Sequence, residues 1–337
     1  MERMKSKIED KRILYVYTGN HPVHRKFAET VTKESVKFSW KLPKNYDIYF
    51  FEGEYAKPVL MRMLGLLPKK SKIIILFADP RLYYLKEGIY FDKIKNKILK
   101  MSFLKRKLAI YLLKKVDGVL CEGNFNADLY KRLTKKSNVS VIEPFIWEDK
   151  YLKLRKINPQ LNNKNILFVG NGPDYYVKGL NILLEIFKDL KKDIPDSKLF
   201  VLGYDWEKII NKELKNQDIF FEGKKEVYSY LKNSSLLIHL GRGEGFGINV
   251  LESLYAGVPA IVSDATGAKE SVKKVSKNFV VPLEKELIKK EIVDYFGRSM
   301  KEKIKLSKKA KKIGARYRES IMLDKFKKRF YDLIKVI

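Results

Sequence analysis

Short apolar runs alternate with longer stretches of mixed character along this chain. "RILYVYTG" (12–19), "YDIYFFEG" (46–53), "SKIIILFADP" (71–80), "VDGVLCEG" (116–123) and "VSVIEPF" (139–145) are runs of Val, Ile, Leu and aromatic residues, most of them closed by Gly or Pro. Each predicts a buried strand, and the segments between them predict helices, notably 91–115 and 124–136. A near-continuous apolar strand is buried on both faces, which points to a parallel sheet covered by helices on either side. The polar piece 151–165, "YLKLRKINPQLNNKN", interrupts the alternation and predicts a linker. The rhythm then restarts with strands at 165–170, 197–203, 219–223, 235–241 and 259–264 and helices at 179–193 and 225–234. From about 285 the tail is helical and basic. The expected organisation is two α/β Rossmann-like domains, 1–150 and 165–310, joined by 151–164 and followed by a basic helix over 311–337.

One stretch carries candidate chemistry, "GRGEGFGINVLESLYAGVPAIVSD" (241–264). Ile248, Leu251, Leu254 and Tyr255 recur at helical spacing and Gly257 follows as a stop, so a helix is expected to begin just after Gly247. Free amides and the positive dipole end at such a helix start attract an anion, and Gly245 and Gly247 let backbone come close to it. Glu244 falls in the preceding loop and Glu252 in the second turn. Eight residues of pure helix would separate them by ~12 Å. That is too far for two carboxyls to share a proton. It suits an elongated ligand with hydroxyls at both ends and negative charge between, such as a sugar joined through a diphosphate to a ribose.

The quoted stretch, continued through "ATGAKESV", resembles the signature of the retaining glycosyltransferases known as family 4, which have the GT-B fold. The resemblance extends over most of 165–281, including "ILFVGNGPDYYVKGLNILLEIF" (166–187), while 1–150 matches only in strand–helix rhythm. It implies two Rossmann-like domains facing across a cleft, with a C-terminal helix crossing back. It implies that Glu252 holds ribose hydroxyls and that Glu244 contacts the donor sugar. Amides of Gly245, Phe246 and Gly247 would lie near sugar and phosphates. Lys178, just before Gly179, would bind the diphosphate and stabilise it as it leaves. Asn171 stands where the family usually has arginine, next to Gly172, and Leu240-Gly241 stand where it often has proline–serine; Arg242 is a candidate replacement cation. The first domain would carry the acceptor side, with Gly19, Asn20, His21 and Asp79 at strand ends as candidates. His21 and His24 lack spacing partners for a metal site. No metal or other cofactor is expected, and the nucleotide sugar is a substrate.

Composition narrows the partners. The chain has 337 residues and a formal net charge of +30, with 45% hydrophobic residues, enough for two real cores. Such charge favours an anionic partner without choosing among nucleic acid, an acidic membrane and phosphorylated substrates. Abundant surface lysine is also common in thermophiles. Cys121 is the only cysteine, so an internal disulfide and a cysteine zinc cage are excluded. The start "MERMKSKIEDKR" lacks the apolar core of a signal peptide, and no apolar run approaches a membrane span. A cytoplasmic protein is expected, at most peripheral on the inner membrane face. Segment 83–115 has ten Lys or Arg against two acids, interleaved with apolar residues, which suits contact with an anionic membrane surface. The reading is therefore a retaining glycosyltransferase that moves a sugar from a UDP- or GDP-linked donor to a glycan or lipid-linked acceptor. Nucleic acid is not the expected partner, for want of a helix-turn-helix or RNA-recognition signature. The alternatives are action on nucleic acid or a non-catalytic nucleotide-sugar-binding subunit.

Overall fold

The structure is a computed structural model that describes residues 10–19, 21–92, 97–206 and 218–337. Two compact units divide it: one of the described residues up to Tyr90 with Ile98–Pro144 and Ser320–Ile337, the other of Phe145–Glu319 with the described residues between Phe91 and Lys97.

The first unit is built on six parallel strands, β1 (Ile13–Tyr17), β2 (Ser35–Lys37), β3 (Ile48–Glu52), β4 (Lys72–Phe77), β7 (Gly118–Glu122) and β8 (Val139–Ile142), in the order β2-β1-β3-β4-β7-β8. The five apolar runs of the sequence are β1, β3, β4, β7 and β8, whereas the short edge strand β2, SVK, is mostly exposed and was not expected; β3 is buried at every position. Alternation along the strand splits its side chains between two layers. Tyr49 and Phe51 join the core cluster that includes Leu14, Val16, Ile73, Ile75, Phe77 and Val119. Phe50 points the other way. Helices α1 (Pro22–Glu29), α2 (Ala56–Met63), α3 (Arg81–Glu87), α4 (Phe103–Lys114) and α5 (Asn124–Thr134) connect the strands.

Of the expected helix over 91–115, only Phe103–Lys114 is helical, and among the described residues before it 91–92 and 97–100 are strand. Gly88 ends α3 in the left-handed conformation, φ +66°. The β-prone "IYFD" then forms β5 (Ile89–Asp92), which pairs with β6 (Lys97–Lys100). Helix α4 begins only after Ser102, whose hydroxyl accepts from the Lys105 amide. Side-chain spacing alone does not show that boundary, because the lysines on both sides look alike.

The second unit repeats the plan. Strands β9 (Asn165–Val169), β10 (Lys198–Leu202), β11 (Ile219–Phe221), β12 (Leu236–His239), β13 (Ala260–Ser263) and β14 (Val280–Val281) form a parallel sheet in the order β11-β10-β9-β12-β13-β14. That is the doubly wound Rossmann order. The helices are α6 (Glu148–Leu154), α7 (Leu180–Asp193), α8 (Val227–Asn233), α9 (Ile248–Ala256), α10 (Lys269–Val275), α11 (Lys285–Gly297) and α12 (Met300–Gly314). Part of the stretch read as linker is thus helical, since Tyr151 and Leu154 of α6 are buried. Helix α9 starts and stops at Gly247 and Gly257 as its spacing predicts, and every residue from Asn249 to Ala256 is buried. It packs against α12.

The last helix, α13 (Glu319–Val336), belongs to the first unit from Ser320 onward. Its buried stripe is Met322, Phe326, Phe330, Leu333 and Ile334, at helical spacing. Phe326 stacks on Phe27 with ring centroids 4.6 Å apart, and Phe330 meets Phe50 edge-on at 5.2 Å. The face of the first sheet that Phe50 shares is closed by residues nearly 300 positions away in sequence. Phe330 is fully buried. Phe330→Ala should therefore cost about 3–5 kcal/mol of stability, read from the denaturation midpoint of the full chain. The exposed neighbour change Lys328→Ala should stay within about 0.5 kcal/mol.

Candidate active site

In an open parallel sheet, a crevice forms at the carboxyl ends of the strands where the strand order reverses. In the second unit that point lies between β9 and β12, which pair directly. The loop after β9 carries Asn171, Gly172 and Lys178, and the loop after β12 carries Leu240 to Gly247. Residues 66 positions apart thereby meet: Lys178 Nζ lies 2.8 Å from Glu244 Oε1. The other carboxylate oxygen, Oε2, lies 2.7 Å from Nε2 of His239, the last residue of β12.

His239 is fully buried, and it was not among the residues expected from sequence. Its orientation follows from its other neighbour. The Asn249 amide nitrogen lies 3.2 Å from the Val169 carbonyl, which can only accept, and 3.2 Å from His239 Nδ1. The amide donates to both, so Nδ1 accepts and the proton sits on Nε2, facing Glu244. The available signal was a lone polar residue, the histidine of "LLIHLG", ending an apolar strand.

Electrostatics makes this a strongly ionic cluster. Burial by itself would raise the Glu244 carboxyl, but Lys178 and His239 outweigh it and hold the group well below the usual carboxylate range. Burial would likewise depress Lys178, and Glu244 overcomes it, so the ammonium is held charged. Glu252 has its own cation. Lys150 Nζ of α6 binds Glu252 Oε1. Burial still raises the Glu252 carboxyl, Lys150 offsetting only part of that rise, while Lys150 itself is raised by Glu252 against its own burial. The two glutamates are separate, each with a lysine partner.

The remaining expected residues shape the loops. Gly179 has φ +79°, and a Cβ there would sit 2.3 Å from the Leu240 carbonyl oxygen, so only glycine lets the two loops touch. A Cβ on Gly172 would collide with the Asp205 carbonyl oxygen at 1.7 Å, which makes close backbone approach the reason for that glycine. Asn171 Oδ1 lies 3.4 Å from the Tyr204 amide. Arg242 is buried, donates to the Tyr176 carbonyl and to Asn181 Oδ1, and lies over the Tyr176 ring at 4.1 Å. It braces the loop that carries Lys178. The Phe246 side chain is buried, with its ring 5.7 Å from Tyr317. Its backbone, with that of Gly245 and Gly247, leads into α9, whose N-terminus has no side-chain cap.

The first unit has a parallel cluster at its own reversal point, between β1 and β3. Glu52 ends β3 and, among the described residues, accepts from the backbone amides of Thr18 at 3.2 Å, Gly19 at 3.1 Å and His21 at 3.2 Å. Asn20 lies outside the described residues. Buried His24 bridges Glu52 at 2.7 Å and Glu122, the end of β7, at 3.3 Å. His21 is exposed, with its ring 4.4 Å from that of His24. Asp79 accepts from the Arg81 amide at 3.1 Å and pairs with its side chain, which places it at the first turn of α3. Glu52 and Glu122 were legible only as acids closing the apolar runs "YFFE" and "VLCE".

Burial opposes charge on His24, but the two glutamates prevail and raise it from the ordinary 6.5 to about 9. The folded state therefore binds more protons than the unfolded state across that window, and stability falls as pH rises through it. Urea unfolding of the full chain should lose stability between pH 6.5 and 9, and His24→Gln should flatten that slope.

Residues 150–317 match the protein family described as Glycosyl transferases group 1. A search of curated protein sequences gives no match. Among solved structures, the chain is similar to Anabaena Alr3699/HepE in complex with UDP, with a TM-score of 0.69 and 14% identity over 97% of this chain and 100% of that one. It is also similar to a glycosyltransferase from Rickettsia africae, with a TM-score of 0.65 and 15% identity over 97% and 99% of the two chains. WaaG, a glycosyltransferase involved in lipopolysaccharide biosynthesis, gives a TM-score of 0.63 and 14% identity over 96% and 99%. At such identities these structures speak to fold. Through residues 150–317 the chain belongs to the glycosyl transferases group 1 family, and it is a glycosyltransferase built on the GT-B fold.

Proposed function

We propose that the chain transfers a sugar from a nucleoside-diphosphate sugar, UDP- or GDP-linked, to a glycan or lipid-linked acceptor, with retention at the anomeric carbon. The observation that carries this reading is the Lys178–Glu244 pair beside the uncapped start of α9, at the reversal point of the second sheet. The diphosphate would lie along the α9 N-terminus, where amides and dipole favour negative charge. As the bond from the anomeric carbon to phosphate oxygen breaks, charge grows on that oxygen. Lys178, kept protonated by Glu244, stabilises it there. The leaving phosphate takes the proton of the incoming hydroxyl on the same face of the sugar, and the new glycosidic bond forms on that face. Glu244 accepts from donor sugar hydroxyls and His239 holds it in position. Glu252 accepts from the ribose hydroxyls, exchanging Lys150 for them. UDP in the similar Anabaena structure and UDP-glucose in another of its complexes support a donor of this class. The reading includes no metal.

A panel of nucleotide sugars tested by thermal shift should single out one donor. At a hundredfold excess over its dissociation constant it should add about 2.7 kcal/mol of stability. With that donor, Lys178→Ala should lower kcat about 100- to 1,000-fold while the nucleotide still binds. Glu244→Gln should lower transfer similarly, and EDTA should leave it unchanged. Binding without transfer to any glycan or lipid-linked acceptor, or transfer only to DNA, would overturn the proposal.

A further inference from the structure

Helix α4 is apolar on both sides, and the first unit uses only one of them. Leu112 and Leu113 are buried, with Ala109 and Ile110 half-buried beside them. On the opposite side Phe103 is 67% exposed, Leu104 77%, Leu108 58% and Tyr111 47%. At 100° per residue these four positions, with Lys107 among them, span an arc of about 140°. The helix α2 packs against α4, and its end adds Met63 and Leu64, both exposed. Single exposed apolar residues are ordinary, but a connected set of this size marks a contact surface.

The same region is strongly cationic. Residues 97–115 carry seven Lys or Arg and no acid, and residues 56–72 carry five more and no acid. The cations are interleaved with the apolar side chains. Lys107 Nζ lies 4.4 Å from the Phe103 ring centre and Lys115 Nζ 5.2 Å from that of Tyr111. Long lysine stems can lie along apolar surface while their ends reach outward to anions.

We propose that the first unit docks on an anionic lipid surface through the outward face of Phe103–Lys114, with Met63 and Leu64 beside it. The chemistry of the patch selects this occupant. Apolar side chains enter the boundary between headgroups and acyl chains while the lysines meet lipid phosphates. A second copy would set cations against cations. A nucleic-acid backbone would satisfy the lysines and leave Leu104 and Leu108 without a partner. No described helix is long and apolar enough to cross a membrane, so the contact is with the surface.

Vesicle flotation of the full chain tests this without any donor, so its outcome is independent of whether sugar transfer is confirmed. Phosphatidylcholine vesicles containing phosphatidylglycerol should carry the protein at low salt and release much of it at high salt, while pure phosphatidylcholine should not carry it. Removing lysine charge should weaken binding about fivefold per residue, so Lys105→Ala with Lys107→Ala should lower it roughly 30-fold. Leu104→Asp with Leu108→Asp should abolish it, and because both side chains are exposed the thermal midpoint should not move. Absence of flotation with phosphatidylglycerol would overturn the proposal. Undiminished flotation of the leucine double variant would also overturn it, since the attraction would then be charge alone. So would a sedimentation dimer that this variant converts to monomer, since a second copy would then be the occupant.

Discussion

The contact between Lys178 and Glu244 is the constraint around which the second unit is arranged. Two opposite charges in a partly shielded crevice are stable only if each remains paired, because an orphaned buried charge is expensive. The fold meets that condition by bringing together the ends of two adjacent strands. Gly179 permits the loops to touch, Arg242 braces one of them from behind, and buried His239 supports the free oxygen of Glu244. The result is an ammonium held charged beside a helix start.

The first unit solves a similar problem with similar parts. Glu52 also ends a central strand beside a reversal of strand order, also has a histidine partner, and gathers the loop amides of Thr18, Gly19 and His21. There both oxygens of the carboxylate are occupied by the chain itself. Glu52 therefore works as a clamp on the loop after β1. Glu244 has side chains on both oxygens instead, Lys178 on one and fully buried His239 2.7 Å from the other. A carboxylate beside a reversal of strand order is thus tied to backbone amides in one unit and to side chains in the other.

Charge acts on two scales. Inside each crevice, single pairs at about 3 Å set which groups are ionised. On the surface, residues 97–115 set seven cations and no acid around an exposed apolar helix face. A formal charge of +30 says little until its position is known. The exposed leucines of α4 lie among those cations.

The sequence by itself determined the two-domain α/β plan, because strands buried on both faces must be continuously apolar and that pattern is local. It also determined α9 and its glycine limits, since a helix face and its stops are read from neighbours a few residues apart. The pairing of Glu244 with Lys178 was not legible as a contact; each was expected only singly. His239, Glu52 and Glu122 passed as strand ends, for their significance comes from which strands lie side by side. The strand pair before α4 escaped notice because basic residues look alike in strand and helix. Only the tertiary structure decided that the final helix covers the first sheet, that Arg242 braces a loop, and that one side of α4 stays uncovered. Those depend on contacts between distant segments, which no local spacing records.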